Sequence, residues 1–447
     1  MAALCAAIRG VFARCWGTPE KLSRSETGEK PRTMPGFLSG HATHPDWRAA
    51  LALAAAQVDA RGAADERSTA GPLSLGFVYF TDHYSPHARA LYDALRQRWP
   101  GVAWVGSVGV GVSAGGAEYI DEPALALMLC SMPAERFEIF SGARKLQRIQ
   151  PYTALVHADP GTHELQELIS EMSDRTESGY LFGGLASSRA ATLHIADGVW
   201  QGGLSGVAFT RDVALISRVT QGCQPIGPTR TVTGCERNVV TELDGEPALP
   251  CLLRDLGMAA LNDPRAALPR LRATLVGLTD ATDATGATGA TGAADSALTR
   301  PGQFGVDTRV RHLVGLDPGR HAVAVADVLA PGMRLAFCQR DVQAARRDLV
   351  RICSEIRDEL ETPDDAGGAT RRILGAIYVS CTGRGGPHFG GPSAELKIVQ
   401  HALGGGVGSG AGGAEEIALV GFFAAGEIAR HHLYGYTGVL TVFTEPV

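Results

Sequence analysis

No Cys-x-x-Cys pair occurs in these 447 residues, although nine cysteines are scattered at positions 5, 15, 130, 223, 235, 251, 338, 353 and 381. That absence excludes zinc-ribbon and dithiol redox spacings, and an odd count of cysteines in mostly apolar runs points to buried free thiols in a reducing compartment. No stretch approaches the roughly 20 apolar residues of a membrane helix. Basic residues are not in excess: 41 Lys and Arg stand against 47 Asp and Glu, a formal charge of −6, so no nucleic-acid partner is expected. The metalloprotease, P-loop and esterase-elbow motifs are all missing. His83-x3-His87 and His431-His432 lack acidic or cysteine partners at ligand spacing, so neither reads as a metal site. The cluster Gly109–Gly116 has no helix behind it, and Gly404–Gly413 is low complexity, so neither is a dinucleotide fingerprint and no cofactor is expected.

What is present describes an ordinary globular chain, 45% hydrophobic and 20% charged, long enough for two or three domains. In the first sixteen residues, MAALCAAIRGVFARCW, Arg9 and Arg14 interrupt what a secretory signal needs as an uncharged core. The stretch reads either as an acid-poor targeting segment or as part of a disordered tail, residues 1–36; a cytoplasmic protein with no membrane contact is expected. TDATDATGATGATGAADS, residues 279–296, has no side chains able to build a core and is expected to be a disordered surface loop.

Hydrophobic patterning predicts alternating strands and helices. Leu73–Phe80, Val102–Val108 and Pro123–Cys130 read as buried strands. Between the first two, Ser85-Pro86 looks like an N-cap and first-turn proline opening a helix with Leu91 and Leu95 inward. Asp197-Gly198 marks a hairpin. Val342–Leu360 is a long helix with Leu349, Ile352 and Ile356 on one face. The last quarter repeats the opening unit: LGFVYF, loop, helix, VAWVGSVGVG and ALALMLCSMP parallel LGAIYV, loop, helix, IALVGFFAAGE and GVLTVFTEP. YLFGGLASS followed by GLSGVAFT carries part of the pattern once more in the middle. The fold class predicted is α/β, mixed α+β in detail: two related halves of mixed sheet covered by helices, from an internal duplication.

Candidate chemistry concentrates where strands run into glycine loops. Arg384 lies in a loop between Gly383 and Gly385; its guanidinium suits a carboxylate ligand, or an internal ion pair with an acid such as Glu427. Glu427, after Gly426, suits a ligand ammonium or a structural cap. With Arg384 it would hold the two ends of a zwitterion. Cys381 at a strand end, with His388 following, reads as a low-pKa nucleophile or as a small buried residue before a turn. Tyr436 lines the same space or simply packs.

Cys381-Thr-Gly-Arg384-Gly, Val420-Gly-Phe-Phe-Ala-Ala-Gly426-Glu427-Ile and Gly435-Tyr-Thr-Gly-Val-Leu-Thr-Val-Phe resemble the C-terminal domain of the FIST family (F-box and intracellular signal transduction proteins). Gly106-Ser107, Phe182-Gly183-Gly184 and Gly202-Gly-Leu-Ser-Gly-Val-Ala-Phe resemble its N-terminal domain. The likeness runs from about Pro45 to Phe443 and divides the chain at residues 37–245 and 246–447. It implies a sensory module that binds a small ligand such as an amino acid, and no particular reaction. Gly106, Ser107, Gly183 and Gly184 are then expected ligand-binding positions beside Cys381, Gly383, Arg384, Gly385, Gly426, Glu427 and Tyr436; backbone-on-backbone packing is the other account of the N-terminal glycines. No kinase, cyclase, receiver or F-box region accompanies the two domains, so a separate signalling partner is expected. An enzyme using Cys381 or Glu427 in the same cleft, or a scaffold with a vestigial pocket, are the competing readings.

Overall fold

A strand, a helix, a second strand parallel to the first, a short hairpin and a returning antiparallel strand: this unit occurs three times. The computed structural model describes residues 36–64, 71–258, 264–280, 308–362, 370–404 and 416–447. Residues 1–35 of the expected tail, 281–296 of the expected loop and 405–413 of the second glycine cluster lie outside the described residues.

The first repeat runs β1 (Leu38–Thr43), α1 (Trp47–Ala64), β2 (Leu75–Thr81), α2 (Ala88–Arg98), β3 (Ala103–Gly109), the hairpin β4 (Gly111–Ala114) and β5 (Ala117–Ile120), and β6 (Ala124–Cys130). The second runs β7 (Phe137–Phe140), β8 (Thr153–Ala158), α3 (Leu165–Asp174), β9 (Tyr180–Leu185), the hairpin β10 (His194–Ala196) and β11 (Val199–Trp200), and β12 (Leu204–Phe209). The third opens with β13 (Leu215–Gln221). A long insertion follows: β14 (Cys223–Pro225), β15 (Arg230–Glu236), β16 (Val239–Leu243), β17 (Glu246–Pro247), α4 (Ala248–Asp255), α5 (Pro264–Ala273), β18 (Thr274–Thr279), β19 (Arg309–Asp317), β20 (Ala322–Val325) and β21 (Arg334–Arg340). The repeat resumes with α6 (Val342–Glu361), β22 (Arg371–Cys381), α7 (Ala394–Gly404), β23 (Leu419–Ala424), the hairpin β24 (Glu427–Arg430) and β25 (His432–Tyr434), and β26 (Thr437–Pro446).

The three sheets have one plan, β1-β6-β2-β3-β10-β11, β7-β12-β8-β9-β24-β25 and β13-β26-β22-β23-β4-β5. In each, the central pair (β2 with β3, β8 with β9, β22 with β23) is parallel, which requires a crossover, supplied by α2, α3 and α7. The hairpins are exchanged in a cycle. The first repeat lends its hairpin to the third sheet, the third lends to the second, and the second lends to the first. Mixed α/β architecture with internal repetition is therefore what the chain adopts. The two halves aligned in the sequence are the first and third repeats, and the partial match in the middle is the second.

Alternation along each strand puts one face in a common core and the other under a helix. Phe77, Phe182, Phe209, Val379, Phe422 and Phe443 fill the shared interior, with Tyr79, His157 and Phe422 meeting from three sheets at ring separations of 5.1–5.7 Å. Trp47, Leu51 and Val58 of α1 cover the outside of the first sheet, and Leu349, Ile352 and Ile356 of α6 cover the third. Asp46 caps the start of α1: its carboxylate accepts the Arg48 N–H at 3.0 Å. Ser85-Pro86 does not open α2. It sits inside a 3₁₀ turn, Asp82–His87, and the α-helix starts at Ala88.

The insertion forms a closed antiparallel barrel, β21-β15-β16-β20-β19-β18 and back to β21, packed with Val232, Leu243, Val276, Val323, Leu335 and Phe337 and flanked by Leu249 and Leu252 of α4. The chain enters and leaves it side by side, the Asp341 N–H donating to the Gly222 carbonyl at 3.2 Å. The division expected at 245/246 falls inside this barrel, with β15 and β16 before it and β18–β21 after.

Candidate functional site

β22 ends at Cys381, and the turn that follows is closed by the Arg384 N–H on the Cys381 carbonyl at 2.8 Å. The turn is crowded at both glycines: a Cβ at Gly383 would lie 3.0 Å from the Tyr436 ring, and one at Gly385 would lie 2.6 Å from Phe423 and 2.8 Å from Ile120. The turn folds Arg384 inward until it is 1% exposed. Its Nε donates to Glu395 Oε1 at 2.9 Å and its Nη2 lies 2.8 Å from the same oxygen. Glu395, in the first turn of α7, also accepts from Tyr378 Oη at 2.6 Å and from Ser380 Oγ at 3.0 Å. Burial opposes the Arg384 charge, but Glu395 and the neighbouring acids outweigh it and hold its pKa above the ordinary value. The ion pair of Arg384 is thus with Glu395 rather than Glu427, and its Nη1 reaches only the Tyr436 carbonyl, at 3.5 Å.

Glu427 is fully buried on β24, opposite Gly184 of β9. Its Oε2 accepts from Thr437 N–H at 3.1 Å and Thr437 Oγ1 at 2.7 Å, while Oε1 has no hydrogen-bond partner. Burial pushes the carboxyl up to about 8, partly countered by Thr437, the Arg384 charge and the Cys381 thiol. Cys381 is pushed the same way, up to about 12, by burial and then by Glu427. A low-pKa nucleophile is therefore not what this site makes of Cys381. Tyr436 has a left-handed backbone, φ 61°, and joins the barrel to the body. Arg340 lies 3.9 Å over its ring, and its hydroxyl meets His312 Nε2 at 2.7 Å.

Cys381, Gly383, Arg384, Gly385, Gly426, Glu427, Tyr436 and Gly184 thus share one neighbourhood. Gly106 and Ser107 lie elsewhere on the repeat plan, and Gly183 adjoins Gly184 on β9, opposite Ile428. A Cβ at Gly106 would fall 1.7 Å from the Val78 carbonyl oxygen, one at Gly183 2.0 Å from Val156 O, and one at Gly421 1.7 Å from Tyr378 O. These three glycines are one position repeated, where neighbouring parallel strands touch backbone to backbone. Ser107 is buried against the core, its hydroxyl bonded to the Val108 carbonyl at 3.1 Å.

The cavity beside the turn has a volume of about 460 Å³ and is lined by Glu118, Ile120 and Glu122 from the β5 side and by Gly386, Gly390, Gly391, Pro392 and Ser393 from the loop before α7. Glu118 reaches across from the first repeat: its N–H donates to Ser393 Oγ at 3.0 Å and its Oε1 accepts the Leu396 N–H at 2.9 Å. Its Oε2 is buried with no hydrogen-bond partner. Burial raises the Glu118 pKa, helped by the Glu395 charge and opposed by the amides of Leu396, Gly386 and Glu395. Of two other cavities, the one of about 250 Å³ beside Trp99 is lined by Asp59, and the one of about 720 Å³ between α1 and α2 is lined by Asp59 and Asp93, both exposed.

Glu395 and Glu118 were missed in the sequence. Glu395 carried a signal, since it shares the apolar face of α7 with Val399 and Leu403, and a charge on such a face implies a buried partner. Glu118 carried none, because its role depends on the exchange of the β4–β5 hairpin.

The FIST N domain matches residues 74–246 and the FIST C domain matches residues 248–430. An uncharacterized protein of Mycobacterium tuberculosis is 30% identical over 424 residues, 91% of this chain and 99% of that protein. An uncharacterized protein of Mycobacterium bovis is 29% identical over 426 residues, 91% and 98% of the two chains.

Proposed function

The chain belongs to the FIST family, with its N and C domains in tandem, and from that premise we propose that it is a small-ligand-binding sensory protein whose ligand is an amino acid or a similar small polar metabolite. The family is itself proposed to act in sensing and signalling. The observation that carries the reading is the cavity of about 460 Å³ where β5, from the FIST N region, meets the loop before α7, from the FIST C region. Its volume is within the roughly 300–1,000 Å³ of small-molecule sites. A ligand there touches both regions at once, so it favours whichever arrangement of hairpin and loop closes on it better. Output passes to a separate partner protein in the cytoplasm. No helix among the described residues is long and apolar enough to cross a membrane.

Dialysed protein is screened by thermal shift against amino acids, organic acids and nucleotides. A ligand at 100 times its Kd adds about 2.7 kcal/mol of apparent stability, a rise of several degrees. The blocking variant is Gly391→Leu: Gly391 lines the cavity, and a Cβ there meets nothing within 4 Å. A selective shift lost in Gly391→Leu supports the reading; a panel flat in both proteins sinks it. Arg384→Ala is unsuited to this purpose, since it strands the buried Glu395 and costs about 3–5 kcal/mol of stability whatever the ligand does.

The second reading is an enzyme acting through Glu427. It is favoured by one observation, the unpartnered Glu427 Oε1 on a carboxyl pushed up to about 8 beside a thiol. Turnover of any ligand found in the screen, abolished by Glu427→Gln, separates it from the sensor.

A further inference from the structure

Two helices hold the same place in the repeat, α1 on the outside of the first sheet and α6 on the outside of the third. They differ in what they show to solvent. α6 divides as a surface helix should: Leu349, Ile352 and Ile356 are buried, while Gln343, Arg347, Ser354, Asp358 and Glu361 are exposed. α1 does not divide. It buries Trp47, Ala50, Leu51, Ala54 and Val58 against the sheet. Its opposite face is Ala49, Leu53, Ala56, Ala60 and Ala63, all exposed but the half-buried Ala49, and Leu53 is 51% exposed. No charged side chain stands in that row. A helix apolar on both faces belongs in a place where both are covered, and nothing among the described residues covers the outer face of α1.

The spacing and the flanking charges say what covers it. The row advances in steps of 4, 3, 4 and 3 residues, the 3.5-residue period of a seam between two packed helices. Alanine in such a seam lets the two axes approach to the short end of the roughly 8–10 Å range. Arg48 and Asp59 lie on the flank that faces α2 across the groove of about 720 Å³, and Leu53 lies on the other flank. Arg48 and Asp59 are about 16 Å apart along the axis, one on each side of Leu53. Both are exposed, with surface partners in Asp46 at 3.8 Å and Arg98 at 2.6 Å. A second α1 laid antiparallel about a two-fold axis near Leu53 brings Arg48 to the partner's Asp59 twice, and leucine to leucine. A parallel one sets like charges together. The face is therefore complementary to itself, as an isologous contact requires.

We propose that a second copy of this chain covers the outer face of α1, the two helices packing antiparallel through Ala49, Leu53, Ala56 and Ala60. The contact uses none of the residues that line the cavity between β5 and the loop before α7, so it stands or falls apart from the ligand reading.

Sedimentation equilibrium and light scattering of the full chain test it, in the parent, Ala56→Glu, Asp59→Arg and the double variant Arg48→Asp/Asp59→Arg. The parent is expected to have the mass of two 46.8 kDa chains at micromolar concentration. Ala56→Glu puts a charge in the middle of the seam at an exposed position, and is expected to give a monomer with the parent's far-ultraviolet signal and a cooperative melt. Asp59→Arg is expected to weaken the dimer roughly tenfold, and the double variant to restore it. A monomeric parent overturns the proposal; if Ala56→Glu then also lowers the melting temperature, a segment of the same chain covers the face instead. A dimer that survives Ala56→Glu overturns it as well. So does a double variant no tighter than Asp59→Arg, since the charges then do not meet across an antiparallel pair.

Discussion

Arg384 shows how far a residue's type constrains its use. An arginine between glycines reads as a clamp for a carboxylate, and it is one, but the carboxylate is Glu395, from the same chain. Glu427 is a residue whose ionisation the fold resists. Its ordinary value is 4.5 and burial raises it to about 8. The folded protein therefore holds a proton that the unfolded chain releases above pH 4.5, and the stability this group contributes below pH 4.5 is lost as pH rises through about 8. Glu427→Gln, neutral at every pH, should melt close to the parent near pH 5 and clearly above it at pH 9. The gap between them has a ceiling of about 5 kcal/mol if the full shift is realised. Equal gaps at the two pH values in paired melting curves would refute the assignment. His157 works in the opposite direction: burial, then His194, pushes it down to about 3, so the stability it confers above its ordinary value of 6.5 is lost on acidification.

At the scale of the element, the repeat explains which glycines matter. Gly106, Gly183 and Gly421 sit where each parallel pair closes, and an added methyl meets a main-chain oxygen that cannot swing aside. Gly421→Ala is expected to cost at least the ~1–3 kcal/mol of an overpacked core and to reduce soluble yield. Gly391→Ala, with nothing within 4 Å of the new Cβ, should match the parent in urea midpoint. A Gly421→Ala protein as stable as the parent would mean that the strands part more easily than their register implies. The resemblance of Gly106 and Gly183 to family positions was legible in the sequence. Their packing was not, because closeness across a sheet has no trace in the spacing of residues along one strand. The same limit hid β4–β5 and β24–β25. Asp197-Gly198 announced its hairpin through turn chemistry, whereas the other two are four-residue or shorter strands in glycine-rich or histidine-rich stretches.

For the whole molecule, the exchange of hairpins has a mechanical consequence. Each sheet is completed by a segment from another repeat, so no repeat can leave without opening a neighbour. The barrel is attached differently. It is entered and left at adjacent residues, Gly222 and Asp341, and touches the body through Tyr436 on His312 and Arg340 and through Arg311 on the Leu433 carbonyl at 2.8 Å. Replacing residues 223–340 with a short glycine linker should leave a soluble three-repeat body with a cooperative melt and near-unchanged far-ultraviolet signal per residue. A molten or aggregated product would show instead that the barrel is part of the body's core.

Sequence alone determined the α/β class, the alternation of strands and helices and the relation between the opening and closing units, because these follow from local hydrophobic period and repeated composition. It also marked Cys381, Arg384, Glu427 and Tyr436 as belonging together, through glycine loops at strand ends. Only the tertiary structure decided that Arg384 faces Glu395, that Glu118 from the first repeat walls a cavity in the third, and that three sheets share one core. Those facts depend on which strand lies beside which. Hydrophobic period is the same whichever neighbour a strand takes, so the pairing is selected by the packing of the whole chain.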